Sequence, residues 1–356
     1  MQAKNSKKRI LVAPLNWGLG HATRCIPIIN ALIDFGFEPV LASDGIALDL
    51  LRKEYENLES AELPSYQIRY SKKKEFFKLK LIQNTPKIVK AIKAEKKAVV
   101  DIIEKYNIDG IISDNRLGVH NKNLPCVFIT HQLQVLSGST TWLSTKLHQK
   151  IIKRFHECWV PDNNGDTNLS GKLGHVQINE LPIKYIGPLS RFQKKDVEIE
   201  YNIMVLLSGP EPQRTILEVK LLEDFSQYNG TVLFVKGQVE ASQKISQKGG
   251  VKIYNFMTSA QLENAINSSD LIISRSGYTT VMDLTKLSKK AFFIPTPGQF
   301  EQEYIAQRLD EQGLVPSCSQ NEFNLKQLER LSNYKGLKSM DYQLNYKKLF
   351  GLFESE

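Results

Sequence analysis

Short apolar segments alternate with stretches of helical period along most of the chain, and this alternation predicts its secondary structure. In the first half, Ala22 to Phe35 and Lys87 to Tyr106 repeat their apolar positions at helical spacing. The apolar segments around them are short, which is typical of buried strands. The predicted strands of this half are Ile10 to Leu15, Glu38 to Ala42, Gly110 to Ser113, Cys126 to Thr130, Trp159 to Pro161 and Lys184 to Pro188.

The same alternation begins again at Tyr201. Alternating strands and helices predict parallel sheets with helices on both faces, so we expect an α/β protein of two Rossmann-like, doubly wound domains facing a cleft. Ligands of such sheets bind outside the carboxyl ends of the strands, which places the expected ligand in that cleft. The predicted strands of this half are Ile203 to Gly209, Thr231 to Val235, Val251 to Asn255, Leu271 to Ser274 and Ala291 to Pro295. The predicted divisions are a domain at 1–190, a linker at 189–200, a domain at 201–335 and a C-terminal helix within 336–356.

The positive charge of the chain is concentrated in its first half. Residues 1–190 hold 27 Lys plus Arg against 18 Asp plus Glu, a net of 27 − 18 = +9, and residues 191–356 hold 20 of each. This asymmetry suggests that the first domain meets an acidic partner. No apolar run approaches the ~20 residues that span a bilayer, and the start lacks a signal-peptide pattern. We therefore expect a cytoplasmic protein, with its scattered cysteines as reduced thiols.

One strand-to-helix connection in the second half has the features of a nucleotide site. The strand ending at Ser274 is followed by the residues that carry the relevant chemistry: Arg275, Ser276, Gly277, Thr279 and Asp283. Free N–H groups at a helix N-terminus attract phosphate, and glycine lets the backbone approach closely. A carboxylate two turns into the helix can accept hydrogen bonds from a ribose diol. Gln302 and Glu303, on the next such connection, can bind the hydroxyls of an attached sugar.

The run Arg275-Ser276-Gly277, followed by Asp283 and Gln302-Glu303, resembles the donor site of GT-B glycosyltransferases, especially the family of the peptidoglycan N-acetylglucosaminyltransferase that makes lipid II. In that family the Arg-Ser-Gly run meets the donor phosphates, an acid binds the ribose and a Gln pair contacts the sugar. The resemblance implies the same roles here, and a C-terminal helix that packs on the first domain. Asp283 stands where the family usually has Glu, and Glu303 replaces the second Gln.

A second motif follows the first strand, where Gly18 and Gly20 precede His21. A dinucleotide-binding fingerprint needs a third glycine where this chain has Thr23, so NAD binding is disfavoured. The Gly-x-Gly-His form is similar to the Gly-rich loop of the same glycosyltransferase family, which implies that His21 is the base at the acceptor hydroxyl. A near-neutral pKa suits that role. The alternative is a histidine that only caps the helix or binds a backbone carbonyl.

Polar residues also follow other predicted strands. Asp114 with Asn115, and His131 with Gln132, end strands of the first half, where an open α/β sheet lines its ligand site. Asp114 and His131 are candidates for acceptor binding or proton transfer; alternatively Asp114 caps the next segment and His131 is a buried, hydrogen-bonded group. In the second half, the resemblance implies further donor contacts. These come from Ser208, Gly209 and Arg214 after the first strand, and from Phe256 and Met257 at a base pocket or, alternatively, in the core.

Two stretches combine basic and apolar residues. One runs from Lys72-Lys73-Lys74 through Lys78 and Lys80 to Lys97, and the other from Trp142 to His156. Such segments fit docking on anionic lipid headgroups, which would place the protein at the inner face of the membrane with a lipid-linked acceptor. The alternative is an ordinary solvated face. No RNA-binding motif with stacking aromatic residues is present, so no nucleic-acid partner is expected.

The sequence therefore predicts a glycosyltransferase that moves an N-acetylhexosamine or hexose from a UDP-sugar to a lipid-linked or small-molecule acceptor. No D-x-D motif or metal-spaced cluster appears, so we expect no metal and no cofactor, with helix N-termini, backbone amides and Arg275 meeting the charge of the leaving group. The resemblance favours inversion. Two alternatives stay open: a UDP-sugar 2-epimerase, for which Asp114 and Glu303 are the evident extra carboxylates, and a nucleotide-sugar binding protein without turnover.

Overall fold

The computed structural model describes residues 7–66, 77–178, 181–238, 240–340, 342 and 344–354. The chain divides into two compact units, with the division between Leu189 and Ser190, and the C-terminal segment from Tyr342 belongs to the first unit. Lys72, Lys73 and Lys74 of the predicted basic stretch lie outside the described residues, as do the side chains of Lys78 and Lys80. No helix within the described ranges combines the length and the apolar composition that crossing a bilayer requires.

Within the described ranges, seven strands form the sheet of the first unit. They are β1 (Arg9–Pro14), β2 (Glu38–Ser43), β3 (Ser60–Glu62), β4 (Gly110–Asp114), β5 (Cys126–Ile129), β6 (Glu157–Val160) and β7 (Ile183–Tyr185). All neighbours are parallel, in the order β3-β2-β1-β4-β5-β6-β7. Every residue of β4, β5 and β6 is buried, because helices cover both faces of such a sheet and leave no side for polar residues.

The direction of winding reverses between β1 and β4, which are adjacent in the sheet with Pro14 beside Asp114. This reversal is the switch point where open α/β sheets bind their ligands. The helices of this part of the chain are α1 (Gly20–Asp34), α2 (Gly45–Glu54), α3 (Phe77–Tyr106) and α4 (Thr141–Ile152). The loops after β1 and β4 leave the same end of the sheet, so residues distant in sequence meet there.

The second unit repeats this plan. Its strands are β8 (Tyr201–Leu206), β9 (Val232–Val235), β10 (Ile245–Lys248), β11 (Val251–Tyr254), β12 (Ser269–Ser274) and β13 (Lys290–Phe293), in the order β10-β11-β9-β8-β12-β13. Its helices are α5 (Gln213–Asp224), α6 (Ser259–Asn267), α7 (Tyr278–Lys286) and α8 (Phe300–Glu311). The switch point lies between β8 and β12. The predicted fold class, two doubly wound α/β units, is confirmed.

The last helix, α9 (Tyr346–Glu354), packs in the core of the first unit. Phe350 and Phe353 are each 1 % exposed. The Phe350 ring meets Phe37 edge to face, with centroids 5.7 Å apart. A Cβ on Gly110 would lie 2.5 Å from a ring carbon of Phe353, so only glycine fits at the start of β4. The aromatic face of α9 is therefore an integral part of the first unit.

Among the described residues, two strands are absent from the prediction. β3 has only three residues, and β10 is an edge strand antiparallel to β11, joined to it through Gly249 with a φ of +59°. All four residues of β10 are exposed. An exposed strand has no buried side to impose a hydrophobic pattern, which is why the alternation of apolar positions did not reveal it.

Candidate functional site

The switch point of the first unit holds a histidine and a carboxylate in direct contact. After β1 the chain turns through Gly18, whose φ of +78° favours glycine, and α1 begins at Gly20. His21 thus lies in the first turn of α1, while Asp114 is the last residue of the neighbouring β4. His21 Nδ1 lies 2.8 Å from Asp114 Oδ1. The fold brings together two candidate residues that are far apart in sequence.

This contact determines which nitrogen of His21 carries the proton. An ionised carboxylate only accepts hydrogen bonds, so we assign the proton to Nδ1, which donates to Asp114 Oδ1. Arg24 Nη2 lies 2.9 Å from the same nitrogen but donates to Asp114 Oδ1 as well. The lone pair of the neutral ring is therefore on Nε2. The side chain of Asp114 is fully buried, whereas that of His21 keeps 14 % of its surface exposed. A partly accessible neutral imidazole that is oriented by a buried carboxylate can act as a general base.

Arg24, which sequence reasoning missed, completes this ion cluster. Its Nε donates to Asp114 Oδ2 at 2.5 Å, and its Nη1 lies 3.1 Å from His131 Nδ1. Burial alone would raise the pKa of Asp114, but Arg24 and His21 together hold it well below its usual range. Burial and then the charge of Arg24 lower the pKa of His21 from 6.5, against an opposing effect of Asp114. The spacing of Arg24, three residues after His21 on one helix face, was the available signal.

The other predicted residues of the first unit follow β4 and β5, the strands whose ends carry Asp114 and His131. His131 is 3 % exposed, and its contact with Arg24 joins it to the same group. Asn115 follows β4 directly with a φ of +57°, in the left-handed region. The backbone N–H of Gln132 donates to Thr130 Oγ1 at 3.0 Å in the turn after β5. The two strand ends are therefore held in fixed turns beside the buried ion cluster.

A second buried ion cluster supports the same end of the sheet. Arg116 is fully buried and forms ion pairs with Asp44 and, at 2.9 Å, with Glu95. Its Nε also donates to the carbonyl of Pro14 at 2.9 Å. Pro14 ends β1, Asp44 follows β2 and Arg116 follows β4, so one guanidinium connects three strand ends. Sequence reasoning missed these contacts because the three partners are distant along the chain.

In the second unit, the loops after β8, β12 and β13 form the corresponding region. Ser208 and Gly209 follow β8 and are exposed, and Gly209 has a φ of +103°. α7 starts directly after Gly277, so its N-terminus, the positive end of the helix dipole, lies at the carboxyl end of β12. Ser276 Oγ donates to the carbonyl of Gln302 at 2.8 Å and joins the β12 loop to α8.

Arg275 is a buried clamp within this region. Its side chain is 0 % exposed. Nη1 donates to the carbonyls of Ile294 and Pro295 at 3.0 Å, and Nη2 donates to the carbonyl of Gln213 at 2.9 Å and to Gln320 Oε1 at 2.7 Å. The guanidinium thus ties the loop after β12 to α5 and to the loop after β13. A direct contact with the donor phosphates stays a prediction, because these four hydrogen bonds occupy both terminal nitrogens.

Thr296, in the loop after β13, has the hydroxyl that this region leaves for a ligand. The residue is 2 % exposed, and its Oγ1 has no hydrogen-bond partner among the described residues. Its backbone N–H donates to Gln302 Oε1 at 2.9 Å, which fixes the loop. A Cβ on Gly209 would lie 3.6 Å from Thr296 Oγ1, so this hydroxyl adjoins the β8 loop. Buried hydroxyls are normally paired, which makes Thr296 a further candidate; the sequence carried no signal for it.

Asp283 is buried in α7, with 9 % of its surface exposed. Ser190 Oγ donates to its Oδ1 at 2.6 Å. Burial raises the pKa of Asp283 to about 6, although the charge of Arg191 and the hydrogen bond from Ser190 oppose this effect. The predicted contact with a ribose diol stays a prediction, since one carboxylate oxygen already accepts the Ser190 hydroxyl.

The raised pKa of Asp283 predicts a pH dependence of stability. Because the carboxyl group binds a proton more tightly in the folded chain than in the unfolded one, the contribution of Asp283 to folding stability is largest below about pH 4. It is lost as the pH rises through about 6, by on the order of 3 kcal/mol in all. Asp283→Asn should remove this part of the pH dependence. Urea unfolding of the wild type and of Asp283→Asn from about pH 4 to 8 tests this prediction. Parallel curves of unfolding free energy against pH would contradict a raised pKa of Asp283.

The remaining donor-side candidates lie on α5, α7 and α8 and after β11. Arg214 forms ion pairs with Glu211 and Glu218, and its contact with the donor stays a prediction. Thr279 lies half-buried in the first turn of α7. Glu303 Oε1 accepts the N–H of Gly298 at 3.0 Å. Phe256 and Met257 are half-buried after β11, which β9 separates from β8.

No group of three or more His, Cys, Asp or Glu side chains that could hold a metal ion occurs in the part of the chain that the structure describes.

Sequence comparisons connect this geometry to known proteins. Residues 214–347 match the glycosyltransferase family 28 C-terminal domain. A Clostridium botulinum protein is 25 % identical over 94 % of this chain and 93 % of its own length; it is named UDP-N-acetylglucosamine–N-acetylmuramyl-(pentapeptide) pyrophosphoryl-undecaprenol N-acetylglucosamine transferase. The resemblance to this family that the sequence motifs indicated is confirmed.

Solved glycosyltransferases share the fold. The glycosyltransferase SnogD from Streptomyces nogalater superposes with a TM-score of 0.59 at 13 % identity, over 91 % of this chain and 90 % of its own. Acinetobacter baumannii MurG gives a TM-score of 0.53 at 14 % identity, over 92 % of both chains. The GT-B fold expected from the sequence is therefore confirmed.

Proposed function

We propose that this glycosyltransferase transfers an N-acetylhexosamine or hexose from a UDP-sugar to the hydroxyl of a lipid-linked acceptor, with inversion and without a metal ion. The observation that carries the proposal is the 2.8 Å contact between His21 Nδ1 and Asp114 Oδ1 at the switch point of the first unit. It leaves the Nε2 lone pair of a neutral ring for an acceptor hydroxyl.

In the proposed reaction, His21 Nε2 takes the proton of the acceptor hydroxyl while its oxygen attacks the anomeric carbon. The bond between that carbon and the UDP oxygen breaks, and its electron pair leaves with UDP. Attack from the face opposite the leaving group inverts the anomeric centre. The lowered pKa of His21 supports this role, because a base must be unprotonated when substrate binds.

The second unit supports donor binding through neutral hydrogen-bond donors. The first-turn N–H groups of α7, the exposed loop at Ser208 and Gly209, and the Thr296 hydroxyl lie on adjacent strand ends. Fixed dipoles of this kind stabilise charge that develops on a leaving diphosphate. The name of the Clostridium botulinum relative favours UDP-N-acetylglucosamine as donor and an undecaprenol-linked acceptor. Glu303, in place of the second Gln of the family motif, is the position that would select a different sugar.

A lipid-linked acceptor would place the protein in the cytoplasm, at the inner face of the membrane. The exposed side of α4 supports this location. Trp142 is 69 % exposed, Leu143 44 % and Leu147 55 %, and Lys146 and Lys150 are exposed on the same helix. Apolar side chains interleaved with lysines bind anionic lipid surfaces, with about 1 kcal/mol from each lysine near the surface.

Nucleotide binding and turnover test the proposed function. Thermal unfolding with UDP, GDP, TDP and ADP should show a selective shift with UDP, since ligand at 100 times Kd stabilises by about 2.7 kcal/mol. Asp283→Ala should lose this shift if the carboxylate binds the ribose. Incubation with UDP-sugars and a polyprenyl-diphosphate sugar should release UDP at a rate that EDTA leaves unchanged.

Other results would redirect the assignment. A donor sugar that changes configuration without any acceptor would identify a 2-epimerase. A UDP shift without turnover on any acceptor would leave a binding protein, and equal UDP affinity of the wild type and Asp283→Ala would remove Asp283 from the donor site.

Vesicle binding tests the role of α4. The double variant Trp142→Ser/Leu147→Ser should bind phosphatidylglycerol vesicles at least about 10-fold more weakly than the wild type, because it removes two exposed apolar side chains. Raising the salt concentration should weaken wild-type binding as well. The matched control is Val219→Ser, on α5, where Val219 is 61 % exposed and should not matter. Equal sedimentation of the double variant and the control would contradict the docking role.

A further inference from the structure

The proposed reaction assigns no role to Arg24. This residue lies on α1, one turn after His21, and is 2 % exposed. Its Nε and Nη2 donate to the two oxygens of Asp114, and its Nη1 lies 3.1 Å from His131 Nδ1. The buried guanidinium of Arg24 contacts Asp114, which orients the proposed base His21, and it also contacts His131. Arg24 is therefore placed to control His21.

We propose that Arg24 is a positioning residue, whose guanidinium fixes the plane of the Asp114 carboxylate and the ring of His131 so that His21 presents an unprotonated Nε2. The inference rests on the proposed function in one respect only, that His21 is the base. The positioning role concerns the orientation and protonation of His21, and does not depend on which sugar or acceptor the protein uses.

The geometry favours arginine over lysine at this position. The planar fork engages both oxygens of Asp114 at once, which fixes the carboxylate plane, and its third nitrogen still reaches His131. A guanidinium only donates, so His131 Nδ1 is the acceptor in that contact. A lysine ammonium is a point charge and cannot reproduce this planar set of contacts.

Arg24 also acts on His21 through its charge. The ionisable groups that face His21 are Asp114 from β4, Arg24 on α1 and His131 from the turn after β5. Arg24 Nη2 is 2.9 Å from His21 Nδ1, and both nitrogens donate to Asp114 Oδ1. Protonation of His21 therefore puts a second positive charge beside the guanidinium, and this repulsion adds to burial in lowering the pKa of His21. Removing the charge of Arg24 must raise that pKa.

The decisive variant is Arg24→Lys, which keeps the positive charge but loses the planar set of N–H donors. Its kcat should fall by about 10²-fold, as expected for a misplaced reacting group, with unchanged KM values and an unchanged thermal shift with UDP. Nuclear magnetic resonance of the imidazole nitrogens in the full-length chain provides a readout that does not depend on activity. The wild type should hold neutral His21 with the proton on Nδ1, and Arg24→Lys should show a mixture of the two neutral forms. Arg52→Lys, at an exposed position of α2, is the matched control.

Arg24→Met tests the charge. The midpoint of the His21 titration, and the acidic limb of kcat/KM with it, should rise by about one pH unit relative to the wild type. If this variant does not fold, because Asp114 has lost its buried partner, Arg24→Lys alone decides the proposal. An unchanged kcat and an unchanged His21 signal in Arg24→Lys would overturn it.

The experiments distinguish a failure of the positioning role from a failure of the proposed function. If the wild type transfers sugar and Arg24→Lys does so equally well, the positioning role is wrong and the proposed function stands. If the wild type transfers no sugar, the proposed function fails, and the His21 signals in the wild type and in Arg24→Lys still decide whether Arg24 positions the cluster.

Discussion

Replacing His21 with Gln should lower kcat by about 10²- to 10⁴-fold, the usual contribution of a general base, and leave the affinity for UDP unchanged. Glutamine is close in size to histidine but cannot take a proton from the acceptor hydroxyl. The effect follows from the 2.8 Å contact with Asp114, which places the lone pair of His21 on Nε2. Steady-state kinetics with a UDP-sugar, together with thermal shifts with UDP, measure the two quantities separately.

A matched control for this variant is His156→Gln. His156 is an exposed histidine of the same unit, directly before β6, where its Nδ1 accepts the N–H of Cys126 at 3.1 Å. Its replacement should leave kcat close to the wild-type value. If His21→Gln turns over normally, the histidine has only a structural role. If it instead loses UDP affinity, His21 belongs to the donor side.

Replacing Arg275 with Met should destabilise the second unit and abolish UDP binding together. The substitution leaves the carbonyls of Ile294, Pro295 and Gln213 without the donor they share in a buried region. Unsatisfied buried groups cost about 1–3 kcal/mol each, so a total loss of about 3 kcal/mol or more is expected. For a chain of this size, such a loss lowers Tm by roughly 6 to 12 °C. Calorimetry with and without UDP measures both effects.

Lys290→Met is the control for this variant. Lys290 is an exposed residue at the start of β13 whose ion pair with Asp270 lies at the surface, and surface pairs contribute little. If Arg275→Met keeps its Tm but loses UDP binding, then the side chain contacts the donor phosphates directly, as the family resemblance first suggested. If both properties survive, the clamp has no function.

The fold was predictable because it follows from patterns that sequence carries. Apolar segments such as those of β4 and β5 are buried on both faces and therefore continuous, and their alternation with helices predicts two parallel sheets. The parallel order in turn predicts which ends meet, so Asp114, His131 and the His21 loop were expected at one edge. The structure places His21 and Asp114 in direct contact at that edge.

The contacts within each site were less predictable, because they depend on side-chain burial and on distant partners. Arg24 and Thr296 carried no motif, although one completes the ion cluster and the other has a buried hydroxyl without a partner among the described residues. Arg275 lies within the predicted motif, yet its terminal nitrogens bind carbonyls of its own unit. A motif gives the residue type and the loop; it does not give the direction of the side chain.

The placement of α9 has a consequence for how the protein is made. Phe350 and Phe353 fill the first unit beside Gly110, yet they are synthesised after the whole second unit. Domains generally fold in the order in which they are synthesised, but the first unit cannot complete its core until translation has passed through the whole second unit. The second unit can therefore fold first, and the first unit of the nascent chain lacks part of its aromatic core until α9 has been synthesised.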